Sequence, residues 1–440
     1  MGNQSLYKDS RLPRCIFVYM KLFKFGGASV NSVERIKNLV PIIRFYEGEK
    51  LTVIVSAMGK TTNALEKVAE SFFAGKKEEA LGLFEQVKQQ HLTTAKYILV
   101  KEYNACYEAL LNFFTEVEWL LHDKPVRNYD YYYDQIVCCG ELLSTSIISF
   151  YLREEGIDNE WIDVRDILRT DNNFRDAGIN WEFSSVKIKE RIQAAATPIV
   201  VTQGFIGATD DNESTTLGRE GSDYTAAVFA NILDADHVTI WKDVAGVMNA
   251  DPKAFPDAQL IPELNFTEVI EMAYYGAQVI HPKTIKPLQN KQIPLLVKCF
   301  LDPALPGTII HEQKIKKLPP VIVIKQDQVL MHLTTSNFSF VGDEPMSELY
   351  NLFARLKMKP NLIQTGAISV QLCFDNRAEK IDQLAASASI FFDVQIEKNL
   401  SLLTIRHYNV EIAAKLTANK TIILQQQTPE TVQYIYRNES

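Results

Sequence analysis

The chain has 440 residues, 46% of them hydrophobic and 23% charged, with a formal net charge of −8. At roughly 100–200 residues per domain that is two or three domains with cores of their own, and the composition is too apolar for disorder. The negative balance and a pI near 5.6 exclude nucleic-acid binding by a general positive field, so an anionic ligand needs a local site.

No stretch approaches the roughly 18 apolar residues of a membrane span; Lys21 interrupts the best early run, Cys15 to Phe23. No small-residue cleavage site follows that run, and Leu6 stands where a myristoylation signal carries Ser or Thr. The six cysteines (15, 106, 138, 139, 299 and 373) have no C-x-x-C spacing and read as reduced thiols of a soluble, cytoplasmic protein. Neither nucleic acid nor membrane is expected as a partner.

Residues 1–19 form a polar tail, and Met20 is an alternative start. From Leu22 short apolar runs alternate with amphipathic segments. Strands are expected at 22–25, 51–55, 198–201 and 237–241. Helices are expected at 32–45, 60–74, 77–99, 102–121, 138–152 and 223–233, where apolar residues recur at helical spacing. The alternation implies an α/β fold with a mostly parallel sheet sandwiched by helices. A charged, Pro-closed linker at 311–320 ends this 20–310 domain. Over 321–440 the pattern changes to two consecutive α+β units, with strands near 321–325, 329–334, 362, 368–374, 391–396, 401–407 and 421–425. Helices there fall at 346–356, 378–386 and 410–418. These units carry no Gly-rich loop and no acidic cluster, so the chemistry is expected before about residue 310.

Six segments there carry candidate chemistry. Lys24-Phe25-Gly26-Gly27-Ala28 runs from a strand into a Gly-Gly turn and a helix, where backbone N–H groups, a helix N-terminus and a lysine can converge on an anion. It matches neither a P-loop nor a dinucleotide fingerprint, and a tight turn with a solvated lysine is the plain alternative. Ser56 to Asn63 follows a strand end, where parallel sheets bind ligands; a simple loop with Thr61 or Thr62 as helix cap explains it nearly as well. In Thr215 to Thr225, Ser222 or Asp223 caps a helix, but capping leaves Gly218-Arg219-x-Gly221 unexplained, and Arg219 offers a planar fork for a carboxylate. Trp241-Lys242-Asp243 to Val247, with Lys253 beyond, suits a nucleotide pocket or a surface loop. His281, before Pro282, fits packing as well as catalysis. Glu141 sits at a helix start, where the dipole favours a carboxylate that could also bind a substrate amine.

Together the six segments resemble the aspartate kinase family, within the amino-acid kinase fold, over residues 21–310, and the remainder resembles its tandem ACT regulatory units. The resemblance implies MgATP-dependent phosphorylation of the L-aspartate side-chain carboxylate to 4-phospho-L-aspartate, an early step toward lysine, threonine, methionine and isoleucine. ATP, with Mg2+ bound to it, is the implied cofactor; no separate metal site is expected. By resemblance Lys24 neutralises the transferring phosphate, Gly26 and Gly27 donate N–H groups to it, and Asp223 orders the cations. Arg219 holds the substrate α-carboxylate and Glu141 its amine, with Ser56, Thr62, Phe205 and Ser222 lining the aspartate pocket. Lys242, Asp243, Met248 and Lys253 line the nucleotide pocket. Departures are Ala28 for a common Thr, Gln278 for a Lys, Met248 for a Tyr, and Asn361 for an acid that precedes a strand in lysine-sensitive members. The last predicts weakened lysine inhibition. No homoserine dehydrogenase part follows, so a monofunctional enzyme is expected, assembled as a homodimer or higher homo-oligomer through the ACT-like units and open to an amino-acid effector. The rival readings are another kinase of the fold, acting on acetylglutamate, carbamate or a nucleotide, and a catalytically dead amino-acid sensor.

Overall fold

A computed structural model describes residues 20–277, 280–335 and 340–438. The expected tail, Cys15 and Gln278 lie outside the described residues. The chain divides into two compact units, one running through Gly246 and resuming over Lys283–Glu312, the other comprising Val247–Pro282 and the chain from Gln313 on.

The first unit is built on a sheet whose strands lie in the order Glu160–Ile162, Ile199–Gln203, Lys50–Val55, Met20–Phe25, His237–Lys242, Leu295–Cys299 and Thr308–His311. Every pairing along it is parallel except the last. Ile199–Gln203 is buried at every position and Lys50–Val55 at all but the first, as expected of strands covered on both faces. Phe25 is in register with both Val55 and Trp241, and Val55 with Gln203. The loops that leave these strands therefore open on one edge of the sheet. Beneath that edge Phe25 stacks on Trp241, with centroids 6.0 Å apart and planes 6° from parallel.

Most expected helices form within two residues of the expected ends. The 32–45 segment is instead two helices, Val33–Lys37 and Leu39–Arg44, because Pro41 has no N–H for the Lys37 carbonyl. The helical run Tyr129–Glu154 is long and apolar enough to cross a membrane by length and composition alone, with a mean hydropathy of 1.4 over its most apolar 18 residues, but 89% of those are buried inside the fold, as in a core helix.

The second unit carries a six-stranded antiparallel sheet in the order Leu362–Thr365, Ser369–Asp375, Val321–Thr335, Phe392–Arg406, Thr431–Asn438, Lys420–Gln427. Two α+β modules share it, but they are interleaved rather than consecutive. The strands expected at 321–325 and 329–334 are one strand with register shifts between Lys325 and Leu330, and those expected at 391–396 and 401–407 are also continuous. One half of each long strand serves each module. Residues 247–282, assigned from sequence to the 20–310 domain, cluster with this unit: Asn249 Nδ2 donates to the Pro320 carbonyl at 3.0 Å, and its own carbonyl accepts from Ile322 N–H at 2.8 Å.

Helix Phe266–Tyr275 is tied to this sheet by a buried ion pair. Arg406 grips Glu268 through two parallel bonds of 2.7 Å and reaches Glu271 at 3.1 Å, while His407 Nε2 lies 3.0 Å from Glu268. Burial pushes the Glu268 carboxyl up, but the hydrogen bonds from Arg406 and His407 outweigh it and hold it at about 2. A carboxylate depressed in the fold contributes stability above its unfolded pKa and loses it as pH falls from about 4.5 toward 2. Arg406→Leu is expected to destabilise this unit by about 3–5 kcal/mol at pH 7. Urea unfolding should show the deficit narrowing by pH 3, where Glu268 without its arginine is neutral in the variant while the parent is losing the contribution of its depressed carboxylate.

Candidate active site

The sheet edge opens into a cavity of about 600 Å³. Lys24, one residue from the end of its strand, lies 8% exposed with Nζ 2.6 Å from Asp223 Oδ1. Asp223 is in the first turn of helix Gly221–Leu233 and is itself buried. Burial raises its carboxyl pKa, yet Lys24 and then Lys242 bring it below the ordinary value. Asp223 is thus ionised at neutral pH, in a setting where water screens its attraction to Lys24 little.

Glu141, three residues into helix Cys139–Glu154 and 2% exposed, faces the same cavity. Its Oε1 accepts from the Ala57 N–H at 3.3 Å, and its Oε2 is buried with no hydrogen-bond partner. Burial, only partly offset by the Ala57 N–H and Lys24, pushes its carboxyl up to about 8. A buried carboxylate with one idle oxygen is a seat for a cation brought by a ligand.

The loops pack backbone against backbone. A Cβ on Gly27 would stand 2.7 Å from the Ala57 carbonyl oxygen, so only glycine lets the two loops meet. Phe205, Arg175 and Glu220 line the cavity at φ of 72°, 71° and 54°, left-handed values that side-chain-bearing residues adopt when the surroundings fix them. Thr225 Oγ1 holds Phe205 N–H at 3.0 Å. Asp134 accepts from Thr216 N–H and Oγ1 at 2.8 and 2.7 Å and from Arg175 N–H at 3.0 Å, and burial pushes its carboxyl up to about 7 in spite of these bonds.

Of the residues singled out from sequence, Lys24, Gly26, Gly27, Ser56, Thr62 and Glu141 line this cavity. So do Phe205, Arg219, Ser222, Asp223, Lys242 and Asp243; Arg219 and Asp243 are exposed. Met248 and Lys253 are not among its lining residues, since the chain passes into the other unit after Gly246. Tyr133, Arg175 and the Ala57 N–H were not read from sequence. A one-residue left-handed kink and a backbone donor leave no mark in a hydrophobic pattern, although Arg175 stands among Asp and Asn residues that signal a loop.

A parallel sheet whose strand ends gather a lysine–aspartate pair, glycine turns and a cation-seeking carboxylate is the architecture of a small-molecule kinase, and the family model for the amino acid kinase family matches residues 20–299. The chain belongs to that family. Within it the chain groups with the aspartokinases. It is 30% identical over 396 residues to lysine-sensitive aspartokinase 3 of Escherichia coli (strain K12), covering 87% of this chain and 86% of that one. It is 32% identical over 373 residues to chloroplastic aspartokinase 1 of Arabidopsis thaliana, covering 80% and 63%. The crystal structure of E. coli aspartokinase III in complex with aspartate and ADP aligns with a TM-score of 0.79 at 26% identity, over 95% of this chain and 96% of that one. The aspartate kinase of Clostridium acetobutylicum has the same fold, with a TM-score of 0.77 at 21% identity over 95% and 96%.

Proposed function

We propose that the chain transfers the γ-phosphoryl group of MgATP to the side-chain carboxylate of L-aspartate. The observation that carries this reading is the unpartnered Glu141 oxygen in the same cavity as the Lys24–Asp223 pair: one cavity offers a seat for an amino group and a buried cation for a phosphoryl group. The E. coli relative bound to aspartate and ADP supports it.

The aspartate carboxylate, with a pKa near ~3.9, is ionised at neutral pH and needs no general base. Its oxygen attacks the γ-phosphorus, the bond to the β,γ-bridging oxygen breaks, and ADP leaves. The barrier is repulsion between anions, so catalysis consists of alignment and fixed positive charge. Lys24 supplies that charge at the moving phosphoryl group, and Asp223 holds the lysine in place. Gly26 and Gly27 present N–H groups on the same side. Arg219 takes the α-carboxylate and Glu141 the ammonium, while Ser56, Thr62, Phe205 and Ser222 enclose the substrate. Lys242 and Asp243 serve the nucleotide together with Met248 and Lys253. Mg2+ accompanies the nucleotide and adds positive charge to its phosphates.

Incubation with MgATP, L-aspartate and hydroxylamine is expected to yield aspartyl hydroxamate, because hydroxylamine traps an acyl phosphate. ATP-binding, folded protein that makes none from aspartate would overturn the assignment. The described cysteines are free, buried thiols, which supports a reducing, cytoplasmic setting. Leu362–Thr365 and Lys420–Gln427 end the regulatory sheet, and open edges favour pairing with a second copy. A sedimentation mass at or above about twice 50.0 kDa is expected, and a monomer at micromolar concentration would refute it.

Lysine is expected to inhibit poorly. Asn361 Oδ1 already accepts from the chain's own Lys325 Nζ at 2.7 Å, and an amide brings no charge to a second ammonium. A lysine titration of the kinase assay checks this; half-inhibition below a millimolar would contradict it.

A further inference from the structure

The regulatory unit holds a second, smaller cavity of about 240 Å³ whose lining is strongly cationic. Lys325, Lys357, Lys359 and Arg377 border it, and Asp375 is the one carboxylate among its lining residues. In a chain of net charge −8, a concave site with four cations and one anion runs against the average surface. We propose that this cavity binds a small phosphate monoester as an effector, distinct from the nucleotide and amino acid of the catalytic site.

The cavity floor is fixed. Asn361 Nδ2 donates to Gln328 Oε1 at 2.7 Å and to Asp375 Oδ1 at 2.8 Å, which turns its carbonyl oxygen toward Lys325 Nζ. Gln328, 1% exposed, also donates to Asp375 Oδ1, at 3.0 Å. The network thereby orients Lys325 without neutralising it, which a carboxylate at 361 would do. Lys325 is half-buried, its stem so close over Gly276 that a Cβ there would meet Cε at 2.3 Å. Lys359 Nζ rests 4.5 Å from the centre of the Tyr274 ring. Lys357, Lys359 and Arg377 have no ion-pair partner among the described residues.

Ligand class follows from charge and size. Three ammonium groups and one guanidinium fork suit a compact dianion with oxygens in several directions, as a phosphoryl group presents them. The Asp375–Asn361 corner can accept from or donate to a hydroxyl on the ester's short carbon chain. The volume is well below the roughly 600 Å³ of the catalytic cavity, which favours a short ester over a nucleotide. A free lysine ammonium meets four like charges there against the single carboxylate of Asp375.

The test is calorimetric titration of the full chain with glycerol 3-phosphate at fixed ionic strength, with MgADP and L-aspartate saturating the catalytic site. Saturable binding is expected, weakened at least tenfold by Lys359→Gln and by Arg377→Gln, both exposed positions at which circular dichroism should remain unchanged. Inorganic phosphate is expected to compete, and succinate at equal concentration not to. Absence of saturable binding, parent-like affinity in both variants, or displacement by succinate as strong as by phosphate would each overturn the proposal. Kinase activity of the two variants without added ester is expected to match the parent, so a failed titration is distinguishable from a failed catalytic assignment.

Discussion

Lys24→Met is expected to lower kcat for hydroxamate formation by about three orders of magnitude or more, with the KM for aspartate changed only a few-fold. The expected size comes from position. A fixed cation beside a transferring phosphoryl group in a site closed to water is worth about 10³–10⁵ in rate when supplied by a protein side chain, and Lys24 is 8% exposed. The substitution also strands Asp223, 3% exposed and left with Lys242 as its nearest cation. Loss of folding could then pass for loss of chemistry. Lys24→Met combined with Asp223→Asn removes both charges at nearly constant volume, and is expected to regain stability while remaining inactive. Activity within tenfold of the parent in the single variant would refute the role given to Lys24.

Glu141→Gln is expected to act in opposite senses on binding and stability. Removing one charge of a buried pair costs about 3–5 kcal/mol, so the KM for aspartate should rise by two to three orders of magnitude. In the ligand-free protein the carboxyl keeps its proton up to about pH 8, whereas the unfolded chain releases it near 4.5. The folded state therefore holds an extra proton between these values, and stability falls as pH rises through that window. Glutamine avoids the loss, and the variant is expected to be more stable by about 2–4 kcal/mol near pH 7.5. It keeps an oxygen for the Ala57 N–H. In the parent, the KM for aspartate should fall as pH rises toward about 8, where Glu141 ionises without help. In the variant that limb should be flat. Thermal melts and aspartate KM values between pH 6 and 9 check both; a variant less stable than the parent at pH 8.5 would contradict the burial argument.

Local chemistry made much of the site legible before any coordinates. Glycine turns after β-rich runs mark where strands of a parallel sheet end, and twelve of the fourteen residues named from those segments together with the family resemblance line one cavity. What stayed hidden was non-local. Asp134 sits in an aromatic helical segment and declares nothing until the fold brings Thr216 and Arg175 to it. Glu160–Ile162 is three residues long, too short for alternation to register. The regulatory half read as consecutive units because a β-bulge breaks the pattern of Val321–Thr335 as a turn would, and only pairing reveals one strand.

That interleaving bears on how the protein is made. Val321–Lys325 pairs with residues 402–406, which in turn pair with 431–435. The second module thus begins with the first strand of the half to leave the ribosome and closes with the last. The first module, whose strands all lie between 328 and 397, can assemble while the other waits. Bridging that interval costs little extra entropy, since loop closure grows only as the logarithm of length. The exposure is kinetic: until Thr431–Asn438 arrives, Phe392–Arg406 presents an unpaired edge of the kind that recruits other chains. Stop codons or frameshifts that remove Thr431–Asn438 would thus act chiefly on the yield of soluble chain.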